Sequence, residues 1–356
     1  MRDAIVLSTW SWDVFNVPER VALALASRGA RVLYCEMPAS HFRHAVKPLD
    51  EVAKNVHRFA PEYLGGKLRF VPGVGDLQWK MVAKQILGNA RALNLKDPLF
   101  LYSHIDRMTP LCDGMKAAGI PLVHICMDYP EPYQYELIAI SDQTLVIPRT
   151  VFCKLRSKFG EKIQWIPQSI HLPNENSGSS ESLPEAAAPG AIPRPRLGYL
   201  GPIFARVNLP LLREVLRSHC EWQFICLGGA EDLRLPNAHN AKWLSPEAIP
   251  SFTAALDVGV MPYDCFEEKN LHCVPLKLFD YFLAGLPVVA TSVISLWEFS
   301  DLIYLGDTSE DFSHAILEAL KEPANSPKRK LRQDIARAHS TEQLGRRLDE
   351  ILPRLA

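Results

Sequence analysis

Short apolar runs alternate with stretches of helical periodicity along most of this chain. The runs at Ala4–Ser8, Arg31–Glu36, Leu68–Val71, Leu99–Ser103, Leu122–Met127 and Thr144–Ile147 have the length and β-branched content of buried strands. Between them, Pro18–Ser27, Gln78–Leu93, Thr109–Ala118 and Arg149–Phe159 place apolar residues three and four apart and predict helices. Such alternation predicts a parallel sheet covered on both faces. The pattern breaks at Pro173–Pro195, a Pro-, Ser-, Ala- and Glu-rich stretch with almost no large apolar residue, which reads as a linker or flexible loop. It then restarts, with strands at Arg196–Leu200, Gln223–Leu227 and Asp257–Met261 and helices at Leu209–Arg217, Pro246–Ala255, Phe312–Leu320 and Thr341–Leu352. The expected organisation is two α/β, doubly wound units over residues 1–172 and 196–335, a linker over 173–195, and a closing helical segment over 336–356.

The segment Pro275–Thr291, PLKLFDYFLAGLPVVAT, says most about chemistry. Pro275 suits a first helical turn, where its missing N–H costs little. Leu276, Phe279 and Leu283 fall on one helical face. Gly285 stands where a left-handed cap ends the helix, and Pro287 bars its continuation into Val288-Val289-Ala290, a buried strand. The start of such a helix is positively polarised, and Lys277 in its first turn adds a full charge. That combination suits a phosphate.

Composition narrows the function classes. Hydrophobic residues make up 47% of the 356 residues and charged residues 22%, enough for two cores. The net charge of −1 gives no bias towards polyanions, so nucleic acid is not an expected partner. None of the eight cysteines forms a C-x-x-C pair, which predicts neither a disulfide framework nor a zinc site, and fits a reducing cytoplasm. The first apolar run is too short for a signal peptide, and no run approaches the ~18 apolar residues of a membrane span. Leu77–Lys96 contains no Asp or Glu but carries Lys80, Lys84, Arg91, Lys96 and Trp79. It reads either as a helix for peripheral membrane contact or as an ordinary solvated helix. His41, Arg43, His44, Lys47, Lys54, His57 and Arg58 would extend the basic face.

Pro275–Thr291 resembles the PLKL-[YF]-[ED]-Y-x-x-A-G-x-P-V-V-[AS]-T signature at the nucleotide-sugar site of GT-B glycosyltransferases. Four further stretches resemble the same family, in order: Trp10-Ser11-Trp12-Asp13 with its downstream Pro18, Arg20 and Gly29; Val123–Tyr129; Gly198–Ile203; and Phe224–Gly229 followed by Ala255–Tyr263. The likeness is closest to the xanthan-type and group 1 families. It implies two Rossmann-like domains facing across a cleft, with the last helix crossing back to the first domain. It also implies transfer of a sugar from a nucleotide-diphosphate sugar, with a UDP-sugar the expected donor, to a glycan, lipid-linked or small-molecule acceptor in polysaccharide or glycoconjugate biosynthesis. No separate cofactor and no metal is implied. The resemblance assigns the donor to Gly201, Arg206, Gly228, Tyr263, Asn270, Pro275, Leu276, Lys277 and Asp280, the acceptor to Trp10, Trp12 and His104, and the base to Asp128. Lys269 and Lys277 stand where many relatives carry the two glutamates of E-x7-E, and Ala205 replaces the usual acid before Arg206. The expected site is therefore cationic and diphosphate-directed, in an enzyme working in the cytoplasm at the inner face of the membrane. Two other readings remain: a non-catalytic GT-B-like partner or glycan-binding protein, and a nucleotide-sugar 2-epimerase.

Overall fold

A computed structural model describes residues 2–12, 16–37, 39–40, 49–63, 73–103, 105, 107–170, 172, 192–203, 206–229, 233–241, 244 and 248–352. The Leu68–Val71 run and nearly all of the 173–195 linker lie outside the described residues, as do His41, Arg43, His44 and Lys47. The chain divides into two compact units, Met1–Ser169 with Thr341–Ala356, and Ile170–Ser340.

The first unit runs β1 (Ala4–Leu7), α1 (Val17–Ser27), β2 (Val32–Cys35), β3 (Ala39–Ser40), β4 (Asp50–Ala53), β5 (Val56–Phe59), β6 (Glu62–Tyr63), α2 (Val74–Ala92), β7 (Leu99–Tyr102), α3 (Thr109–Ala117), β8 (Leu122–Cys126), α4 (Gln134–Ile140), β9 (Gln143–Val146), α5 (Arg149–Phe159) and β10 (Ile163–Trp165). Its main sheet has the order β10-β9-β8-β7-β1-β2-β5-β4, parallel except where β4 pairs antiparallel with β5. Strands β1, β2, β7, β8 and β9 are buried throughout, as expected of a sheet covered on both faces. Asn16 caps α1 by accepting the Glu19 N–H, and Pro18 occupies the first turn, where no donor is needed.

The second unit runs β11 (Arg196–Leu200), α6 (Leu209–Ser218), β12 (Gln223–Leu227), β13 (Ala238–Ala241), α7 (Ile249–Ala254), β14 (Val258–Met261), α8 (Glu268–Leu271), α9 (Leu276–Leu283), β15 (Val288–Ala290), β16 (Tyr304–Leu305), α10 (Ser309–Leu320) and α11 (Pro327–Ala338). Its sheet is parallel, in the order β13-β12-β11-β14-β15-β16. The strand order reverses between β11 and β14, and in the first unit between β1 and β7. In open α/β sheets ligands bind outside the carboxyl ends of strands at such switch points.

The last helix, α12 (Thr341–Ile351), follows the second unit in sequence but packs in the first, against α1. Leu344, Leu348 and Ile351 are buried. Gly345 allows the close approach, because a β-carbon there would meet the Ala24 carbonyl oxygen at 3.2 Å. The boundary falls at Ser340, later than the division expected between residues 335 and 336, because α11 is tied to the second unit. His339 stacks on Phe279 at 4.2 Å between ring centroids. The fully buried Arg332 makes a two-pronged pair with Glu322 (2.7 and 2.6 Å) and donates to the Leu302 carbonyl.

Candidate functional site

In the second unit the resemblance-based residues gather at the carboxyl edge of the sheet. The turn after β11 begins at Gly201, whose φ of 115° is open to glycine but strained for other residues. The turn after β12 begins at Gly228, with φ 118°. These two turns touch: a β-carbon on Gly228 would lie 2.9 Å from the backbone of Gly201 and Pro202. Gly228 is therefore demanded by close backbone approach, and Gly201 by its positive φ.

Tyr263 lies in the turn after β14. Thr291, just past β15, clamps it, accepting the Tyr263 N–H at 3.0 Å and donating to its carbonyl at 2.9 Å. Arg206 is fixed through its backbone: its carbonyl accepts the Asp264 N–H at 2.8 Å, and neighbouring Val207 bridges Tyr263. Asn270 is buried and donates its side-chain amide to the Asp264 carbonyl at 2.9 Å. Its Nδ2 thus braces the 264–270 segment, while its buried Oδ1 has no hydrogen-bond partner among the described residues.

Pro275 is the N-cap of α9, one place before the first turn, with an extended backbone (φ −69°, ψ 130°). Proline there disfavours helix in the residue before it and sets the start of α9. The buried face of α9 is Leu278, Phe279, Tyr281 and Phe282; Leu276 and Leu283, expected on that face with Phe279, are only partly buried. At the other end, the Gly285 N–H bonds the Phe282 carbonyl (2.8 Å) and the Leu286 N–H the Tyr281 carbonyl (2.9 Å), with φ 70° at Gly285. This is the Schellman closure.

Tyr281 is a residue the sequence reading passed over. Its buried hydroxyl accepts the Leu200 N–H and donates to the Gly198 carbonyl, both at 3.0 Å. A β-carbon on Gly259 would lie 2.6 Å from its ring. The signal was present: Tyr281 stands inside the 275–291 motif, and the strand glycine Gly259 is the hole its ring needs.

Lys277 projects from the first turn of α9. Its Nζ lies 3.5 Å above the Tyr199 ring centroid and 5.6 Å from that of Tyr263. A β-carbon added at Gly201 would lie 3.4 Å from it. Among the described residues Lys277 has no ion pair. Burial lowers its pKa from 10.5 to about 7; the Arg206 charge adds to this, while Cys226, Cys273 and Asp280 oppose it. A cation held among aromatic rings, beside two glycine turns, a second cation and a helix start, is organised to receive an anion.

In the first unit, Trp10 and Trp12 follow β1 at the switch point but face different ways. Trp10 is 51% exposed. Trp12 is buried, its ring edge-on to Tyr34 at 4.9 Å and its backbone N–H donating to the Glu36 carboxylate. Trp12 is thus part of the packing under the loop, while Trp10 is open to a ligand. His104 lies outside the described residues. Asp128 follows β8, partly exposed, with its carbonyl accepting from the Cys126 thiol at 3.3 Å. Its neighbour His124 is fully buried beside Tyr102.

In α2, Trp79, Val82 and Ile86 turn into the core, so Trp79 is not the interfacial anchor its position suggested. The outer face carries Leu77, Lys80, Met81, Lys84 and Arg91. No helix among the described residues is long and apolar enough to cross a membrane. Nor do the described residues contain a group of three or more metal-ligating side chains.

Comparison with known proteins agrees with this architecture. Residues 194–322 match the family model described as glycosyl transferases group 1. Over 169 residues the chain is 28% identical to TuaH of Bacillus subtilis (strain 168), which carries a provisional assignment as a teichuronic acid biosynthesis glycosyltransferase. That match covers 43% of this chain and 41% of TuaH, so the chain spans less than half the length of that relative. Among solved structures, sucrose-phosphate synthase from Thermosynechococcus elongatus superposes with a TM-score of 0.74 at 14% identity, covering 100% of this chain and 99% of that one. Anabaena Alr3699/HepE, solved with UDP and glucose, gives 0.69 at 13% identity, covering 99% and 100%. The chain has the GT-B fold, and residues 194–322 of its second unit are similar to the group 1 glycosyltransferases.

Proposed function

We propose that the chain transfers a sugar from a nucleotide-diphosphate sugar, with UDP the preferred nucleotide, to a glycan, lipid-linked or small-molecule acceptor in polysaccharide or glycoconjugate biosynthesis. The observation that carries this reading is the un-neutralised Lys277 ammonium held against the Gly201 turn at the start of α9. A departing diphosphate needs positive charge and N–H donors aimed at it. Lys277, Arg206 and the first amides of α9 supply both without recourse to a metal ion. HepE, the neighbour solved with UDP and glucose, supports the choice of donor. TuaH's assignment to teichuronic acid biosynthesis supports the acceptor class.

In the first unit Asp128 is the proposed base. Its carboxylate takes the acceptor hydroxyl proton as the acceptor oxygen bonds the anomeric carbon, the sugar–phosphate bond breaks and its electron pair leaves with the diphosphate. Trp10 offers an exposed ring for a sugar face. Leu77, Lys80, Met81, Lys84 and Arg91 on the outside of α2 would rest against the cytoplasmic face of the membrane when the acceptor is lipid-linked.

Thermal-shift titration with UDP-, GDP-, ADP- and dTDP-sugars tests the donor site. The preferred donor at a hundredfold excess over Kd adds roughly 2.7 kcal/mol of stability. Lys277→Ala should weaken that donor by about tenfold or more, the worth of a lost charge-assisted contact. Unchanged affinity in the variant would remove Lys277 from the site. Turnover unaffected by EDTA is expected; its loss on chelation would overturn the metal-free reading.

A further inference from the structure

A lysine drawn into a protein normally finds acceptors for its three N–H donors. Lys162 does so. Its Nζ donates to the carbonyls of Ile138 (2.7 Å), Ala139 (2.9 Å) and Ser141 (3.2 Å) at the end of α4, and these bonds hold it as an ammonium. Lys277 is the opposite case. Among the described residues its Nζ makes neither an ion pair nor a hydrogen bond, and it lies over the Tyr199 ring instead. A ring face attracts a cation but supplies no lone pair to its N–H groups. Water reaches the side chain only in part, since Lys277 is half-buried.

The groups that face Lys277 come from several elements. They are Tyr199 of β11, Cys226 of β12, Tyr263 after β14, Arg206, and Cys273 and Asp280 before and along α9. Burial raises the Tyr199, Tyr263 and Cys226 pKa values, so these three stay protonated and neutral. Arg206 is a like charge, and Asp280 is the acid that opposes it. In the empty site this balance favours the free amine, in line with a pKa brought down to about 7.

A half-open free amine is a nucleophile, and its surroundings suit an anion. The Arg206 charge and the start of α9 are the features that would receive a diphosphate. Carbon dioxide is the small electrophile that makes an anion from such an amine. The nitrogen lone pair bonds the carbon, a C=O electron pair moves to oxygen, and the nitrogen releases one proton to solvent: R–NH2 + CO2 → R–NH–COO− + H+. The side chain passes from neutral to negative in a site that must otherwise hold phosphate. A carbamate there and a bound diphosphate exclude one another by charge and by space.

We propose that Lys277 is a site of reversible carbamate formation with carbon dioxide, which blocks the donor site until a nucleotide sugar displaces it. The blocking rests on the donor-site reading, whereas the modification does not. The full chain, equilibrated with carbon dioxide at pH 8, is trapped with triethyloxonium, which esterifies a carbamate, and peptide mass spectrometry locates the product. The ethyl carbamate should appear on Lys277 and be absent from Lys162. At fixed carbon dioxide pressure it should increase with pH, because the step releases a proton. Saturating nucleotide sugar should suppress it, and by reciprocity carbon dioxide should weaken the donor severalfold in calorimetry at constant pH and ionic strength. Donor binding to Lys277→Arg should not respond to carbon dioxide, because a guanidinium keeps its proton. An unmodified Lys277, or equal modification of Lys162, overturns the proposal and leaves the donor-site reading to the Lys277→Ala titration. A carbamate on Lys277 that no nucleotide sugar displaces leaves the modification standing and sinks the donor-site reading.

Discussion

At the scale of the residue, Lys277 carries the proposed chemistry, and its environment gives it a definite pH signature. Desolvation beside Tyr199 and Tyr263 lowers its pKa from 10.5 to about 7, against the opposing pull of Cys226, Cys273 and Asp280. Below pH 7 the amine is charged in both folded and unfolded chains, and the native state bears the full cost of the buried charge. Between pH 7 and 10.5 the unfolded chain keeps the proton while the native one sheds it, so stability recovers as pH rises. Lys277→Met should therefore stabilise the protein most below pH 7, and the gain should fade towards pH 10.5. Urea unfolding of parent and variant at pH 6 and pH 9.5 measures this; an equal gain at both would contradict it. A bound diphosphate reverses the balance by favouring the ammonium, so donor binding at pH 8 should take up a proton. Calorimetry in buffers of different ionisation enthalpy reads that uptake directly. The lysine itself was legible in sequence from its place in the PLKL string. Its aromatic cage was not, because Tyr199 and Tyr263 come from strands and turns far away along the chain.

At the scale of the element, the 275–291 segment forms the αβ unit that its string suggested. Proline before the helix and glycine after it fix both ends through backbone sterics alone, which is why they could be read locally. How α9 is held against the sheet is a matter of packing. The β14 ladder meets β11 only at Leu197 and Gly198, and beyond it the Tyr281 hydroxyl engages the Leu200 N–H. Tyr281→Phe removes that hydroxyl and leaves a buried donor and acceptor unpaired, at a cost of about 1–3 kcal/mol. It should also loosen the Gly201 turn, so donor affinity should fall although Tyr281 touches no ligand. Equilibrium unfolding and donor titration of the variant check the two halves of this statement. Helix α11 went unread for a related reason. PKRKLRQDIARA has almost no apolar face, since its inward residues are Ala336 and the charged Arg332. An arginine that meets Glu322 in the interior looks in sequence like any surface arginine. The short edge strands β13 and β16 likewise carry too few residues for a period to emerge.

At the scale of the whole molecule, sequence order and spatial order part company at Thr341. Helix α12 closes the first unit, burying Leu344, Leu348 and Ile351 against it. Each such side chain is worth about 1.5–3 kcal/mol, comparable in sum with the whole stability of many domains. Residues 1–169 alone should thus be poorly folded, and joining 341–352 through a flexible linker should restore cooperative unfolding. Matching urea midpoints for the two chains would show that α12 is dispensable. Substituting Gly345 by Leu in the full chain should destabilise the same unit, by forcing α12 off the Ala24 carbonyl.

The sequence by itself determined the alternation of strands and helices, the end of α9 and the glycines at its turns. Each of these follows from local backbone chemistry or from the apolar period of a buried strand. It also carried the family resemblance on which the proposed donor site rests. Only the tertiary structure decided which of two tryptophans faces outward, that Trp79 belongs to the core, that Asn270 is a brace, and that Lys277 is caged. It alone showed that α12 completes the unit begun at the other end of the chain. Burial and charge environment depend on residues brought together from distant segments, and no window of sequence contains them.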